Sequence, residues 1–455
     1  MNKRRREHPA SLPPHTSYYL LLLLIPLTQG LVVAIAAILG LLIYWIIHRL
    51  RHFYTMTPRH IILERGVLIR RIICFPLSGI TTLTITRPLW LRLLRAAHIL
   101  VDTDGGTRWA SDAALTVPNR CARLFLPDSK GGTLWRPRQG RLWLLAVLSS
   151  DSFGGVLLLS AILRQSSILL GEGIQQTVLN NLEAAADMLT VIPRTAALLI
   201  LILLCGWLAG ALRHLLRHLP FAVHRGEQTL TIYAGWLTRR IHCCTVDAIH
   251  YTDIRQTLTA CLCRRHTVYI SCTGYGKDKH TLSVLLPPGT RWQIQAELAA
   301  TLPSLTPVEM RLHPCRGALW RYIRLPITLL GALPLLGWGA GLLFPLWQGL
   351  ILYLTLMGVF PCLWLLAVGI LHCRRAGVGY AHGRYTLCYA RRLTLHRVTL
   401  PRRKLAAVRI RQTPWQRWRG RCDLTLYSYH EARRPHRVRH LSIQEVRTLF
   451  PTKEV

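Results

Sequence analysis

Apolar positions in this chain crowd into stretches near residues 18–47, 142–163, 195–212, 325–343 and 350–371, with long polar, charged segments between them. Runs of about 17–25 apolar residues match the hydrocarbon thickness of a bilayer, so these stretches predict membrane helices. In the polar segments the period changes. Residues 66–75 and 80–87 are rich in β-branched side chains between turn residues, and 99–102 alternate ahead of Gly105-Gly106, which predicts strands. Residues 267–271 and 424–427 repeat the alternation. Each strand-rich segment then closes on a short amphipathic helix signal. These signals are Ser111-Asp112 ahead of 113–125 (interrupted by Pro118), residues 291–302, and a capping box at Ser442 and Glu445 ahead of 446–450.

The three segments are one repeat. Gly66-Val67-Leu68-Ile69-Arg70-Arg71-Ile72 aligns with Gly235-Trp236-Leu237-Thr238-Arg239-Arg240-Ile241 at an offset of 169. It aligns with Arg391-Arg392-Leu393-Thr394-Leu395-His396-Arg397 at an offset of 325. The same offsets match Ile85, Ile254 and Ile410 without a gap, and then Trp90, Thr259 and Trp415. Periodic self-similarity of this kind marks a repeated structural unit. The third window diverges most, with Arg391 in place of glycine.

Charge orients the layout. The chain of 455 residues carries 57 Lys and Arg against 20 Asp and Glu, a formal net charge of +37. Nearly all the cations lie in residues 1–17, 48–141, 213–324 and 374–455. The stretch 165–193 holds Glu172, Glu183 and Asp187 and no basic residue. The positive-inside rule then puts the N-terminus and all three repeats in the cytoplasm, with 165–193 and a turn near 344–348 outside. That needs an even number of crossings before each repeat. Residues 142–212 and 325–371 supply hairpins, whereas 18–47 is short for a double crossing and predicts a short or re-entrant hairpin turning at Thr28-Gln29-Gly30. A single long span is the rival reading. The thirteen cysteines fall in segments placed in the reducing cytoplasm or in spans, and no disulfide is expected.

Candidate chemistry concentrates where Arg and Trp alternate. Arg402, Arg403 and Lys404 are followed by Trp415, Arg417, Trp418 and Arg419; the first repeat has Trp90, Arg92 and Arg95, and the second has Arg264 and Arg265. Trp at a head-group boundary beside Arg reaching for phosphate suits anionic lipid. The competing reading is an orientation signal with no specific ligand. Nucleic-acid motifs are absent. Asp151, within an apolar segment, is a candidate intramembrane polar site for transport. Cys261-Leu262-Cys263 would aim two thiols to one face if it lay on a strand, but paired Cys-x-x-Cys spacing is missing and no metal or cofactor is expected. No Walker loop, nucleophile elbow or zinc-protease motif is present, which argues against an enzyme.

Tyr54-Thr55-Met56-Thr57, then Gly66, Arg70-Arg71-Ile72, Pro76-Leu77, Ile80 and Ile85, then Val101-Asp102-Thr103-Asp104-Gly105-Gly106, behind an apolar hairpin, resemble the bacterial pleckstrin-homology-like (PH) membrane-flanked domain family. The three-copy layout is similar to its longer YdbT-type members. The resemblance implies an α+β membrane protein in which transmembrane helical hairpins alternate with three PH-like β-sandwich or half-barrel domains, each closed by a C-terminal helix. The expected divisions are a basic tail and first hairpin at 1–50, domains at 51–130, 216–306 and 374–455, and hairpins at 138–215 and 318–373. The expected role is a non-enzymatic inner-membrane scaffold that contacts anionic lipid or a partner protein in the same membrane. The alternative is a component of a transport or export system.

Overall fold

The computed structural model describes residues 5–9, 11, 31–57, 59–66, 70–103, 111–125, 132–149, six residues between 176 and 185, 194–272, 283–315, 317–391, 393–429 and 435–450. Helices α1 (Leu31–Leu50), α4 (Gln139–Ser149), α5 (Arg194–His218), α8 (Leu319–Leu343) and α9 (Gln348–Arg375) lie in the apolar stretches. Among the described residues α8 and the 354–375 part of α9 are long and apolar enough to cross a membrane, and both are almost wholly unburied. A soluble core helix would bury such a surface. α8 and α9 pack as a hairpin, turning at Pro345–Trp347, and Gly337 leaves room for Thr355 against the α8 backbone.

The remaining helices are short: α2 (Leu89–Leu93), α3 (Asn119–Ala122), α6 (Leu258–Leu262), α7 (Arg291–Thr301), α10 (Pro414–Trp418) and α11 (Ile443–Leu449). The strands form two compact units. The first is Met1–Arg136, Leu216–Ala248 and Cys272–His280. It holds a four-stranded antiparallel sheet in the order β1 (Arg5–Arg6), β2 (Phe53–Met56), β3 (His60–Arg65), β4 (Arg71–Pro76). Its second sheet is seven-stranded: β7 (Ala113–Pro118), β6 (Ala96–Thr103), β5 (Ile80–Arg87), β11 (Arg239–Thr245), β10 (Thr229–Ala234), β9 (Ala222–Arg225), β8 (Thr133–Trp135). Alternate residues Tyr54, Ile61, Leu63 and Phe75 face Leu83, Ile85, Ile99, Val101, Leu115 and Val117 in one core. Each such side chain contributes about 1.5–3 kcal/mol by burial.

The second unit is Pro137–Leu215, Ile249–Ser271 and Thr281–Val455. Its six-stranded sheet runs β14 (Ser283–Gly289), β13 (His266–Cys272), β12 (Ile249–Thr257), β17 (Thr394–Pro401), β16 (Arg384–Arg391), β15 (Gly377–Ala381). A three-stranded sheet follows, β18 (Leu405–Arg411), β19 (Arg421–Ser428), β20 (Pro435–Ser442). Val378, Tyr385, Leu387, Val398 and Leu400 pack against Leu424, Leu426, Val438 and Leu441, with Val446 and Phe450 closing the core from α11 and its end.

The repeat is structural as well as sequential. The 3-10 turns Leu77–Gly79, Val246–Ala248 and Arg402–Lys404 stand at offsets of 169 and 325, and so do α2, α6 and α10. A left-handed residue follows each of these helices, at Arg95 (φ 52°), Arg264 (φ 52°) and Gly420 (φ 60°). Only the third window places glycine where the backbone favours it.

Three local expectations are corrected. Ser442 is the N-cap of α11, but its side chain makes no capping hydrogen bond, so the expected capping box with Glu445 does not form. Residues 113–118 form β7, and the helix starts only at Asn119. Ala113, Leu115 and Val117 all point inward, a period of two, and apolar density alone does not separate that from a helix. Cys261 lies in α6 and Cys263 caps it, so the two thiols do not share a strand face. Residues 12–30, Gly105, Gly106 and Asp151 lie outside the described residues.

Candidate functional site

Each repeat carries an exposed apolar tip on its short helix. Leu93, Leu262 and Trp418 occupy one repeat position and are 85%, 76% and 80% exposed. In the third repeat the tip is richest, because Trp415, Arg417, Trp418 and Arg419 all point outward from α10. The tip is anchored from within by Gln416, which is buried and completes a capping box with Thr413. Gln416 Nε2 also donates to Asp423 Oδ1 at 2.8 Å. Asp423 Oδ2 accepts from Arg437 at 2.7 Å, and Oδ1 accepts from the His440 backbone at 3.1 Å. Burial would raise the Asp423 carboxyl, but the hydrogen bonds from Arg437, His440 and Gln416 hold it below the usual range.

The sequence-selected basic residues do not form one patch. Arg402, Arg403 and Lys404 sit on the 3-10 turn at one end of β18, and Trp415–Arg419 sit beyond the other end. The seven residues of β18 between them span roughly 23 Å. Arg92 shares α2 with the exposed Trp90, but its guanidinium donates to the Trp236 carbonyl at 3.1 Å and is partly committed to holding the chain. The Arg265 backbone pairs with Ala260 and Gln256.

Of the sequence-selected residues, Arg264 lines a cavity. This cavity, about 880 Å³, lies in the second unit among β12, α6, α7, the end of α9, β16 and β17. That volume is the size of a small-molecule site. Ile254, Ile294, Met310 and Leu395 give it apolar walls. Arg264, Arg291, Arg375 and Arg397 also line it, with Glu309 the sole carboxylate among the described lining residues. Arg375 donates to buried Gln256 Oε1 at 2.6 Å, and Arg397 donates weakly to the Val308 carbonyl at 3.3 Å. Arg291 is the first residue of α7, where the helix dipole disfavours a cation.

The electrostatic record of this crowding is on His266 and Arg397. Burial, then the nearby charges of Arg375, Arg291 and Arg397, lower the His266 imidazole to about 4. Burial also lowers Arg397, and Arg291 adds to the shift. Positive charge packed without matching negative charge disfavours the fold and favours an anionic ligand. Sequence reading missed Arg291, Arg375, Arg397 and His266 because they come from separate elements. The basic end of α9, His372-Cys373-Arg374-Arg375, is the signal the sequence offers for one of them, Arg375.

Behind the cavity wall, Asp253 is buried between Arg255 Nε at 2.6 Å and His396 Nδ1 at 3.0 Å. Burial would raise its carboxyl, but His396 and Arg255 hold it well below the ordinary carboxylate range. Tyr389 stacks on His396, with centroids 5.2 Å apart. Among the described residues no group of three or more His, Cys, Asp or Glu is placed to hold a metal ion. Cys243, Cys244 and Cys272 are buried, and burial pushes the Cys243 thiol up to about 11, away from reactive thiolate.

A family model described as a bacterial PH domain matches residues 19–123 and 327–452, together just over half of the chain. Each match begins in an apolar stretch and ends within the strand-rich segment behind it, so the two matches cover the first and third repeats. No curated protein and no solved structure matches the chain.

Proposed function

The chain belongs to the bacterial PH domain family, and from that premise we propose that it is a multi-pass inner-membrane protein whose PH-like repeats, three in number, bind anionic lipid from the cytoplasmic side. It acts as a scaffold and not as an enzyme. The observation that carries this reading is the arginine-lined cavity at the foot of α9. A helix of 28 residues ends there in His372, Arg374 and Arg375, at the depth where head groups lie if α9 spans. Four arginines suit a phosphate, and the apolar walls suit the start of an acyl chain. The exposed tips of α2, α6 and α10 add apolar and tryptophan contacts of the kind found at membrane boundaries.

The test is binding of phosphatidylglycerol to the full chain in detergent, counted by native mass spectrometry against phosphatidylcholine. Arg291→Ala combined with Arg397→Ala is expected to weaken phosphatidylglycerol binding by about tenfold to a hundredfold, since each charge-assisted bond is worth about 1.5–3 kcal/mol before losses. Arg291→Ala alone is expected to leave the melting temperature unchanged or higher, because it removes a cation from a helix N-terminus. Equal binding of both lipids, or no effect of the double substitution, would sink the reading.

A pH dependence follows from His266. A bound phosphate offsets the three arginines and raises the imidazole from about 4. The bound state then holds more protons than the free state, so affinity is flat above roughly pH 6.5 and rises as pH falls toward 4. His266→Gln should abolish that rise.

The N-terminal tail bears on topology. β1 pairs with β2, Arg5 opposite Tyr54, and Glu7 makes an ion pair with Arg65 at 3.0 Å. The tail and the first repeat therefore share one side of any membrane. α1 alone is about 30 Å long at 1.5 Å per residue, enough for one pass. The pairing of β1 with β2 supports the short or re-entrant hairpin for 18–47 over the single long span. A cysteine at Asn2 and native Cys74 are expected to label from the same side; opposite sides would restore the single span.

A further inference from the structure

The repeats are joined edge to edge by one rule. In the first unit β5 of one repeat pairs with β11 of the next, Ile85 opposite Ile241. In the second unit β12 pairs with β17, Ile254 opposite Arg397. Ile254 and Ile85 share one repeat position, and Ile241 and Arg397 share another, that of Ile72. Both junctions are antiparallel and both keep the same register. A coincidence is implausible, because a slip of one residue would turn every side chain to the other face.

The rule leaves two strands over. β4 has the repeat position of β11 and β17, and β18 has that of β5 and β12. Each ends its sheet, and its outer edge has no strand partner among the described residues. Native sheet edges are usually blunted by charge or proline; β4 has neither from Ile72 to Phe75, while β18 carries Arg409 and Arg411. Ile72 is 59% exposed and Ile410 is 37% exposed, whereas Ile85 and Ile254 at the junctions are 0% and 7% exposed.

We infer that β18 of one molecule pairs with β4 of a second copy of this chain in the register of the two internal junctions. That register sets Ile410 opposite Ile72 and Val408 opposite Cys74. It also sets Arg411 opposite Arg71, a like-charge contact that the first junction already tolerates between Arg87 and Arg239. The internal side-chain anchors, Thr84 to His242 and Asp253 to His396, are not repeated, so the backbone ladder and the isoleucine pair carry the contact. The interface is head-to-tail, since each molecule offers two different edges, and it generates a ring or an open row of molecules.

The test uses the full chain in its membrane with Val408→Cys and the native, exposed Cys74. A short bismaleimide is expected to give products of two, three and more chains. Replacing Cys74 by Ser, or moving the new thiol one residue with Arg409→Cys, should abolish them, because neighbouring residues face opposite sides. Ile72→Lys and Ile410→Lys, both at exposed positions, should each shift the detergent-solubilised protein to monomer in sedimentation. Ile72→Glu with Ile410→Arg should restore the assembly. The inference is overturned if Val408→Cys gives no product, if the product has the mass of one chain, if Arg409→Cys performs equally, or if Ile72→Lys leaves the mass unchanged.

Discussion

Asp423→Ala is expected to loosen β19 and β20 by about 3–5 kcal/mol, the usual cost of removing one member of a buried, hydrogen-bonded charge pair. The carboxylate is almost fully buried and satisfies Arg437, the Gln416 amide and the His440 backbone N–H together, with Arg321 at 3.6 Å. Without it, two guanidinium groups face each other across a partly buried site, and Gln416 loses the contact that seats the α10 tip. Asp423→Asn keeps one acceptor oxygen, which can serve Gln416 and the His440 N–H, but turns an NH2 donor toward Arg437, so it should recover only part of the loss. Amide exchange across β19 and β20 measures the effect locally, which suits a chain of several domains that need not unfold in one step. Opening easier by less than about 1 kcal/mol would show that the network is dispensable. The folded pKa lies below the unfolded one, so the stabilisation is complete above roughly pH 4 and is lost as pH falls below it through the folded value.

Asp253→Ala should have a comparable effect at a different place, the β12–β17 junction. Asp253 comes from β12 and His396 from β17, and their bond crosses the seam between two repeats. Arg255, whose guanidinium lies 4.4 Å from the Tyr269 ring centroid, would lose its counter-charge in a mostly buried position. A loss of about 3–5 kcal/mol is expected, concentrated in exchange of the β12 and β17 amides. The same sign argument applies: the contribution is intact above roughly pH 4 and fades below it. If exchange in β12 and β17 is unaffected while β13 and β14 open, the carboxylate supports its own repeat and not the seam.

The two substitutions touch different sheets of the second unit, and among the described residues none partners both carboxylates directly. Their effects should add within a few tenths of a kcal/mol. Neither carboxylate was visible as a site in the sequence. Asp253 and Asp423 stand at different positions of the repeat, where the other windows have Thr84 and Arg409, or His98 and Thr267.

Local patterning was legible wherever the physics is local. The offsets of 169 and 325 carried over to the 3-10 turns, the short helices and the left-handed residue behind each, because turn chemistry and strand period depend on a few neighbours. The apolar stretches at 325–343 and 350–371 likewise lie in α8 and α9, whose length and composition suffice. The strand at Ala113–Pro118 was misread because a short apolar run has no distinct period. Tertiary structure alone decided the rest. A period of two says which face of a strand is apolar but not which edge meets which, so the seams β5–β11 and β12–β17 could not be read in advance. Arg264, Arg291, Arg375 and Arg397 come together because four distant elements surround one cavity, and charge along a chain records number, not convergence.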